Sequence, residues 1–203
     1  MATLYFYHDP MCSWCWGYRP VADQLFASLP AGVMLVNVLG GLAPDSDEPM
    51  PEELLQAIPG YWKNIEELLG TEFNYDFWTE CEPRRSTYPA CRAVIAAALQ
   101  EREEAMTDAI QRAYYLRAMN PSNLSTLETL AAELELDTEQ FATDIRSPQV
   151  EAELQRQIQF SRQSPIRGFP SLVLEQDGEL ILVQQDYHSA QVSLDHLQAL
   201  MQN

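Results

Sequence analysis

Positive charge is what this sequence has least of. Its 203 residues hold 12 lysines and arginines against 30 aspartates and glutamates, which gives a formal charge of −18 and a pI near 4.3. An acidic field repels phosphate backbones and anionic lipid surfaces, so the expected partners include no nucleic acid and no membrane. Long apolar runs are missing too, and none approaches the ~18 residues needed to span a bilayer. No positively charged stretch followed by an apolar one and a small-residue cleavage site opens the chain; Met1-Ala2-Thr3 runs straight into a strand pattern. That start reads as cytoplasmic. Cysteine is scarce: four in a chain of this length do not make a disulfide framework, and in a reducing compartment such residues serve catalysis or metal binding instead. The composition is otherwise that of a globular protein, with no repeat or low-complexity segment, and does not indicate disorder.

Two of the four cysteines stand close together near the start, in Asp9-Pro10-Met11-Cys12-Ser13-Trp14-Cys15-Trp16-Gly17. The apolar run Leu4-Tyr5-Phe6-Tyr7 before them reads as a strand. After them Tyr18, Val21, Ala22, Leu25, Phe26 and Leu29 recur at helical spacing, so Cys12 falls at a helix N-terminus and Cys15 one turn in. The free N–H groups and positive dipole end of a helix favour an anion there, which is expected to bring the Cys12 thiol from ~8.5 into a range of roughly 3.5–7.5. Thiolate is the nucleophile of disulfide exchange, and a second thiol at i+3 lies on the same helix face to resolve the mixed disulfide. A bare Cys-x-x-Cys also fits half a zinc site or two structural cysteines. The position after a strand and at the head of an amphipathic helix reads instead as a thioredoxin-like redox motif.

The rest of the chain supplies few further strands. A helix over 13–29 ends at Pro30, and Val33 to Leu39 makes a second, parallel strand, completing a βαβ unit. From 44 to 146 the pattern is helical and reads as an insertion. Its elements are a helix over Pro51–Leu69 interrupted at Pro59-Gly60, an irregular aromatic link over Phe73–Trp78, a helix over Pro89–Met106, and another over Asp108–Met119. A helix opened by the capping box Ser125-Thr126-Leu127-Glu128 and a short one over Thr138–Ile145 follow. A helix from Pro148 to Arg162, strands over 170–175 and 180–184 joined by an Asp177-Gly178 turn, and a closing helix over 190–201 complete the order.

Several other residues carry two readings. His8 either tunes the dithiol with an imidazole or points away from it. Asp9 reads as a solvated carboxylate capping the turn or, turned inward, as a group acting on the Cys15 proton. Cys81 and Cys91 are a second redox pair, zinc ligands together with Cys12 and Cys15, or a loop thiol and a small buried apolar residue; their spacing matches no zinc knuckle. Tyr61, Trp62, Phe73, Tyr75, Phe77 and Trp78 form a helical core or an apolar floor beside the thiols. Arg84 and Arg85 either bind a substrate carboxylate, such as that of glutathione, or pair with nearby glutamates. His188 and His196 read as surface residues.

The order β-α-β, helical block, α-β-β-α, with Cys12-Ser13-Trp14-Cys15 at the front and Gly168-Phe169-Pro170-Ser171-Leu172 before the third strand, resembles the DsbA-like family of thioredoxin-fold proteins. It is most similar to the cytoplasmic branch of protein disulfide isomerases, in segments such as Tyr7-His8-Asp9-Pro10-Met11-Cys12 and Arg84-Arg85-Ser86-Thr87-Tyr88-Pro89-Ala90-Cys91. The resemblance implies an α/β thioredoxin fold, a mixed central sheet flanked by helices, with residues 1–43 and 147–203 forming the thioredoxin-like domain and 44–146 an inserted all-α domain. It implies Cys12 as nucleophile, Cys15 as resolving thiol, and Ser13 and Trp14 as the redox-tuning dipeptide, beside which His8 and Asp9 are the site-lining candidates read above from their positions. Phe169 and a cis Pro170 would bind an extended substrate strand. The implied activity is thiol–disulfide exchange without a cofactor or metal, on a thiol- or disulfide-containing protein or small molecule, with glutathione as a redox partner. Where periplasmic oxidants and eukaryotic isomerases carry histidine, this chain has Trp14, which supplies no charge to the thiolate, so the direction of electron flow stays open. Two other functions fit the same architecture. One is a glutathione-dependent transferase or isomerase of the kappa-class and hydroxychromene-carboxylate isomerase kind, which typically has serine in place of Cys12. The other is a non-catalytic polypeptide-binding or chaperone protein.

Overall fold

The computed structural model describes residues 2–202. Strand β1 (Ala2–His8) is the axis of a four-stranded sheet of order β2-β1-β3-β4. It pairs in parallel with β2 (Val33–Leu39), from Ala2 opposite Val33 to His8 opposite Leu39. On its other side it pairs antiparallel with β3 (Ser171–Gln176), which pairs antiparallel with β4 (Glu179–Val183). The sheet is mixed, as the resemblance implies. Asp177 and Gly178 both have positive φ, 52° and 84°, which is what a two-residue hairpin turn asks of Asp-Gly.

Alternate β1 residues face opposite sides of the sheet. Leu4 and Phe6 pack with Leu172, Leu174, Val21 and Leu25 under helices α1 (Ser13–Ala27) and α9 (Ala190–Met201). Tyr7 joins Val38 and Val173 on the other face, where Phe160 of α8 (Pro148–Gln163) covers it. Both faces of β1 are therefore buried, which explains why its pattern is a continuous apolar run. Ser147 caps α8 through Val150 N–H at 3.2 Å, and Pro148 takes the first helical position.

Between β2 and α8 lie α2 (Glu52–Leu69), α3 (Phe77–Glu80), α4 (Tyr88–Ala98), α5 (Glu103–Leu116), α6 (Leu124–Glu133) and α7 (Thr138–Asp144). Their largest apolar cluster holds Val94, Met106, Ile110, Leu127 and Phe141, together with Val150, Leu154 and Ile158 of α8. Each buried Leu-sized side chain contributes roughly 1.5–3 kcal/mol, and α8 shares this core while also leaning on β2.

Three local expectations are corrected. Helix α2 runs unbroken through Pro59. The proline removes one N–H donor, but buried Trp62 and Ile65 hold the segment that follows, and Gly70 in the left-handed region (φ 68°) ends the helix instead. The break expected after Met106 lies at 99–102, where Glu101 takes φ 60°. Ser125 is not a cap: α6 starts one residue earlier at Leu124 after Asn123, and the Ser125 carbonyl accepts a bond from the Thr129 hydroxyl inside the helix.

Candidate functional site

The loop from β1 to α1 spans Asp9 to Cys12 and is closed on itself. The Cys12 N–H donates to the Asp9 carbonyl at 3.0 Å, and the Met11 N–H donates to Asp9 Oδ1 at 2.8 Å, a turn that a short carboxylate side chain can make with its own backbone. Cys12 then occupies the N-cap with extended backbone (φ −85°, ψ 114°), and its sulfur does what a serine or aspartate oxygen does elsewhere. Sγ accepts the Cys15 N–H at 3.4 Å. On its other side the same sulfur donates to the Phe169 carbonyl at 3.5 Å. The Phe169–Pro170 peptide is cis. Gly40, at the end of β2, is where the Phe169 ring rests: a Cβ there would stand 1.9 Å from the ring tip.

Cys15, the other half of the pair, is 3% exposed against 7% for Cys12, and both thiols are free. Burial pushes the Cys15 thiol well above its ordinary value, and the neighbouring Cys12 adds to the effect. Trp14 meets Tyr187 edge-on at 5.3 Å, toward the segment before α9. Trp16 stacks on Tyr115 of α5 at 5.7 Å and donates its indole N–H to the Glu72 carbonyl at 3.1 Å. The dithiol turn is thus bracketed by the segment before α9 on one side and by α5 on the other. Trp62, Phe73, Phe77, Tyr114 and Tyr115 form a buried aromatic cluster against which Met11, Trp14 and Trp16 pack, so one cluster is both core and wall of the site. Tyr61 is half exposed and stands outside it.

Asp9 is turned inward and fully buried, which overturns its reading as a solvated cap. Its Oδ2 accepts from the Leu42 N–H and the Thr87 hydroxyl, both at 2.8 Å, and from the Cys91 thiol at 3.6 Å. Burial raises its carboxyl above the usual range while these donors oppose that rise. The carboxylate therefore ties the dithiol loop to the loop after β2 and to the head of α4. Cys91 is accordingly a hydrogen-bond donor rather than merely a small apolar filler, and Cys81 donates to the Ala118 carbonyl at 3.0 Å. Leu42 and Tyr115 were not singled out in the sequence, Thr87 appeared only within the segment that carries the resemblance, and no local spacing points to any of the three.

His8 is 4% exposed, stacks on Phe6 at 5.1 Å, and its Nε2 has no partner. Burial, and then the charge of Arg19, lower its pKa to about 4. It is neutral at physiological pH and supplies no cation to the thiols. It lines a cavity of about 240 Å³ between α1, the sheet and α5, with Cys15, Arg19, Asn37 and Gln111 among the other lining residues. Arg84 donates to the Ser122 carbonyl and to Asn123 Oδ1 and stands 3.7 Å from Asp47. Among the described residues no group of three or more His, Cys, Asp or Glu is placed to hold a metal ion, and no helix is long and apolar enough to cross a membrane.

A family profile described as "Thioredoxin" matches residues 5–193. The chain belongs to that thioredoxin family. Within it, the strong structural likenesses are to DsbA-like proteins. A Nitrosomonas europaea protein, provisionally assigned as a protein disulfide isomerase, is 28% identical with a TM-score of 0.85, covering 99% of this chain and 98% of its own. The cytosolic disulfide reductase DsbM of Pseudomonas aeruginosa is 26% identical with a TM-score of 0.77, covering 98% and 97%, and a second structure of it contains GSH. The ClpXP adapter protein SpxH of Bacillus subtilis is 24% identical over 172 residues, 83% of this chain. The chain spans only 56% of that relative's length.

Proposed function

We propose that the protein is a thiol–disulfide oxidoreductase in which Cys12 is the nucleophile and Cys15 the resolving thiol. The observation that carries this reading is the placement of Cys12 Sγ between a helix-opening N–H and the Phe169 carbonyl, with the second thiol protonated and buried behind it. In the reducing direction the Cys12 thiolate attacks one sulfur of a substrate disulfide, and the departing sulfur takes up a proton. Cys15 then loses its proton and attacks Cys12 Sγ, which breaks the mixed disulfide and leaves the Cys12–Cys15 disulfide. The substrate has gained two electrons and two protons. The carbonyl at Phe169 and the chain around Pro170 form the edge on which an extended substrate strand pairs. Ser13 and Trp14 present the uncharged face of the pair, and glutathione, found with DsbM, restores the dithiol. The cytosol, where DsbM works, is the proposed compartment. Residues 1–43 with 147–203 carry the chemistry in this reading, and the insertion 44–146 supplies the wall that substrates meet.

Equilibration in glutathione redox buffers, with mass spectrometry to show which cysteines pair, tests this. One two-electron transition at Cys12–Cys15 is expected, and a potential near the thioredoxin value of about −270 mV identifies a reductase whereas one near about −120 mV identifies an oxidase. Cys12→Ser removes all exchange, and Cys15→Ser accumulates a mixed disulfide. If Cys12 and Cys15 never pair and glutathione binds without exchange, the glutathione transferase reading replaces this one. The likeness to a ClpXP adapter favours a second reading, polypeptide binding without catalysis; retention of substrate binding by Cys12→Ala, with no redox transition in the wild type, would establish it.

A further inference from the structure

Cations are few in this chain, and eight of the twelve stand in ion pairs. Arg102, Arg162 and Arg167 are exposed to water. Arg85 is different: among the described residues it is the one half-buried cation with neither a carboxylate nor a hydrogen-bond acceptor assigned to it. A guanidinium taken partly out of water without a partner is costly, and its five donors are fixed in a planar fork that matches a carboxylate.

The backbone around Arg85 is held on all sides. Ser86 accepts the Ser46 N–H at 3.3 Å through its hydroxyl and the Ser122 hydroxyl at 2.6 Å through its carbonyl. Thr87 reaches Asp9 at 2.8 Å, which fixes this segment to the loop that carries Cys12. Arg84, its neighbour, is committed to Ser122 and Asn123, so the two arginines that the sequence offers for one role are separated by the structure. The location is also marked by the tyrosine pair of α5, whose rings lie 4.6 Å apart: the charge of Arg85 is felt at Tyr114, and both thiols are felt at Tyr115.

Resting on the oxidoreductase reading, we propose that Arg85 is the carboxylate-binding residue of the dithiol site and that its ligand is a small anionic thiol of the glutathione type. In a tripeptide with a central thiol each end of the backbone lies about 5 Å from the thiol residue, and on the segment that Thr87 fixes to the Cys12 loop the guanidinium would hold a terminal carboxylate bidentately. In a protein of charge −18 an anionic thiol is repelled on approach, and a local cation gives it a place to stop. The exchange balances with two glutathiones. The first, as thiolate, attacks Cys12 Sγ of the Cys12–Cys15 disulfide, and Cys15 leaves and takes a proton. The second attacks the glutathione sulfur of the mixed disulfide, which frees the Cys12 thiolate and forms oxidised glutathione. The protein gains two electrons.

The test compares second-order rate constants for reduction of the oxidised protein by glutathione and by uncharged mercaptoethanol, in wild type, Arg85→Ala and Arg85→Lys, with Arg162→Ala as a surface control. Arg85→Ala is expected to slow glutathione by about tenfold or more, the effect of losing one charge-assisted pair, and to leave mercaptoethanol within about twofold. Arg85→Lys regains part of the glutathione rate, and Arg162→Ala changes neither. Equal slowing with both thiols, or no change with either, overturns the proposal. Calorimetric titration with S-methylglutathione, which cannot exchange, separates the two readings. Binding to wild type and not to Arg85→Ala sustains the carboxylate site even if the dithiol proves inert, and binding equal in both variants overturns it.

Discussion

With 4% of its surface exposed and Arg19 close by, the His8 imidazole stays neutral in the folded chain down to about pH 4, whereas in the unfolded chain it takes a proton near pH 6.5. Between those values the unfolded state binds a proton that the folded state refuses. Stability therefore falls as pH drops from about 6.5 to about 4, by about 3 kcal/mol in total, and this contribution is flat above that window. Asp9, whose carboxyl is raised by burial, works in the opposite sense at the acid end. Comparing denaturant midpoints of wild type and His8→Phe across pH 4 to 7 isolates the histidine: the variant loses that part of the slope, and an unchanged slope would show that His8 is charged in the fold. At this scale the sequence was legible only where the chemistry is local. Cys12 and Cys15 announce themselves by spacing and by the helix they open. The partners of Asp9 do not, because Leu42, Thr87 and Cys91 arrive from 33, 78 and 82 residues away.

The contact between the end of β2 and the loop before β3 is decided by Gly40 and Phe169. A side chain at 40 needs the space the whole ring tip occupies, with three ring atoms at 1.9 to 2.4 Å from the position of a Cβ. Gly40→Ala is expected to displace the ring and with it the Phe169 carbonyl that accepts the Cys12 thiol. The cost is roughly 1–3 kcal/mol of stability, together with slower disulfide exchange, measured by thermal unfolding and by stopped-flow reduction of the variant. Elements of this kind were well marked in the sequence where a periodicity or a stop signal defines them, as in β1, α1, β2, the β3–β4 hairpin and α9. They were less well marked where tertiary packing overrides the local signal. Pro59 reads as a break, yet the buried face of Trp62 and Ile65 carries α2 through it. Ser125 reads as a cap, yet α6 begins before it.

The molecule as a whole carries far more negative than positive charge, and its ion pairs lie mostly on the surface, as with Lys63 and Glu67 or Arg117 and Glu133. Such pairs contribute little, while the net repulsion acts over the whole surface. Raising NaCl from about 0.01 M to about 1 M shortens the screening length from about 30 Å to about 3 Å. The melting temperature is expected to rise by at least about 2–4 °C, the change that goes with 1 kcal/mol in a chain of this size. Calorimetry at the two salt concentrations checks this, and a fall would mean that specific ion pairs outweigh the net charge.

The parallel register of β1 and β2 sets His8 opposite Leu39, so the two strands finish side by side. One of them hands the chain to the dithiol turn and the other hands it to the helices. Helices that touch neither Asp9, as Thr87 and Cys91 do, nor Trp16, as Tyr115 does, can therefore lengthen or shorten without shifting a pair in the sheet. Such wiring lets selection alter the outer helices while the chemistry beneath is inherited unchanged, and it makes those helices, rather than the residues that hold Asp9 and Trp16, the place to build a new substrate preference into this scaffold.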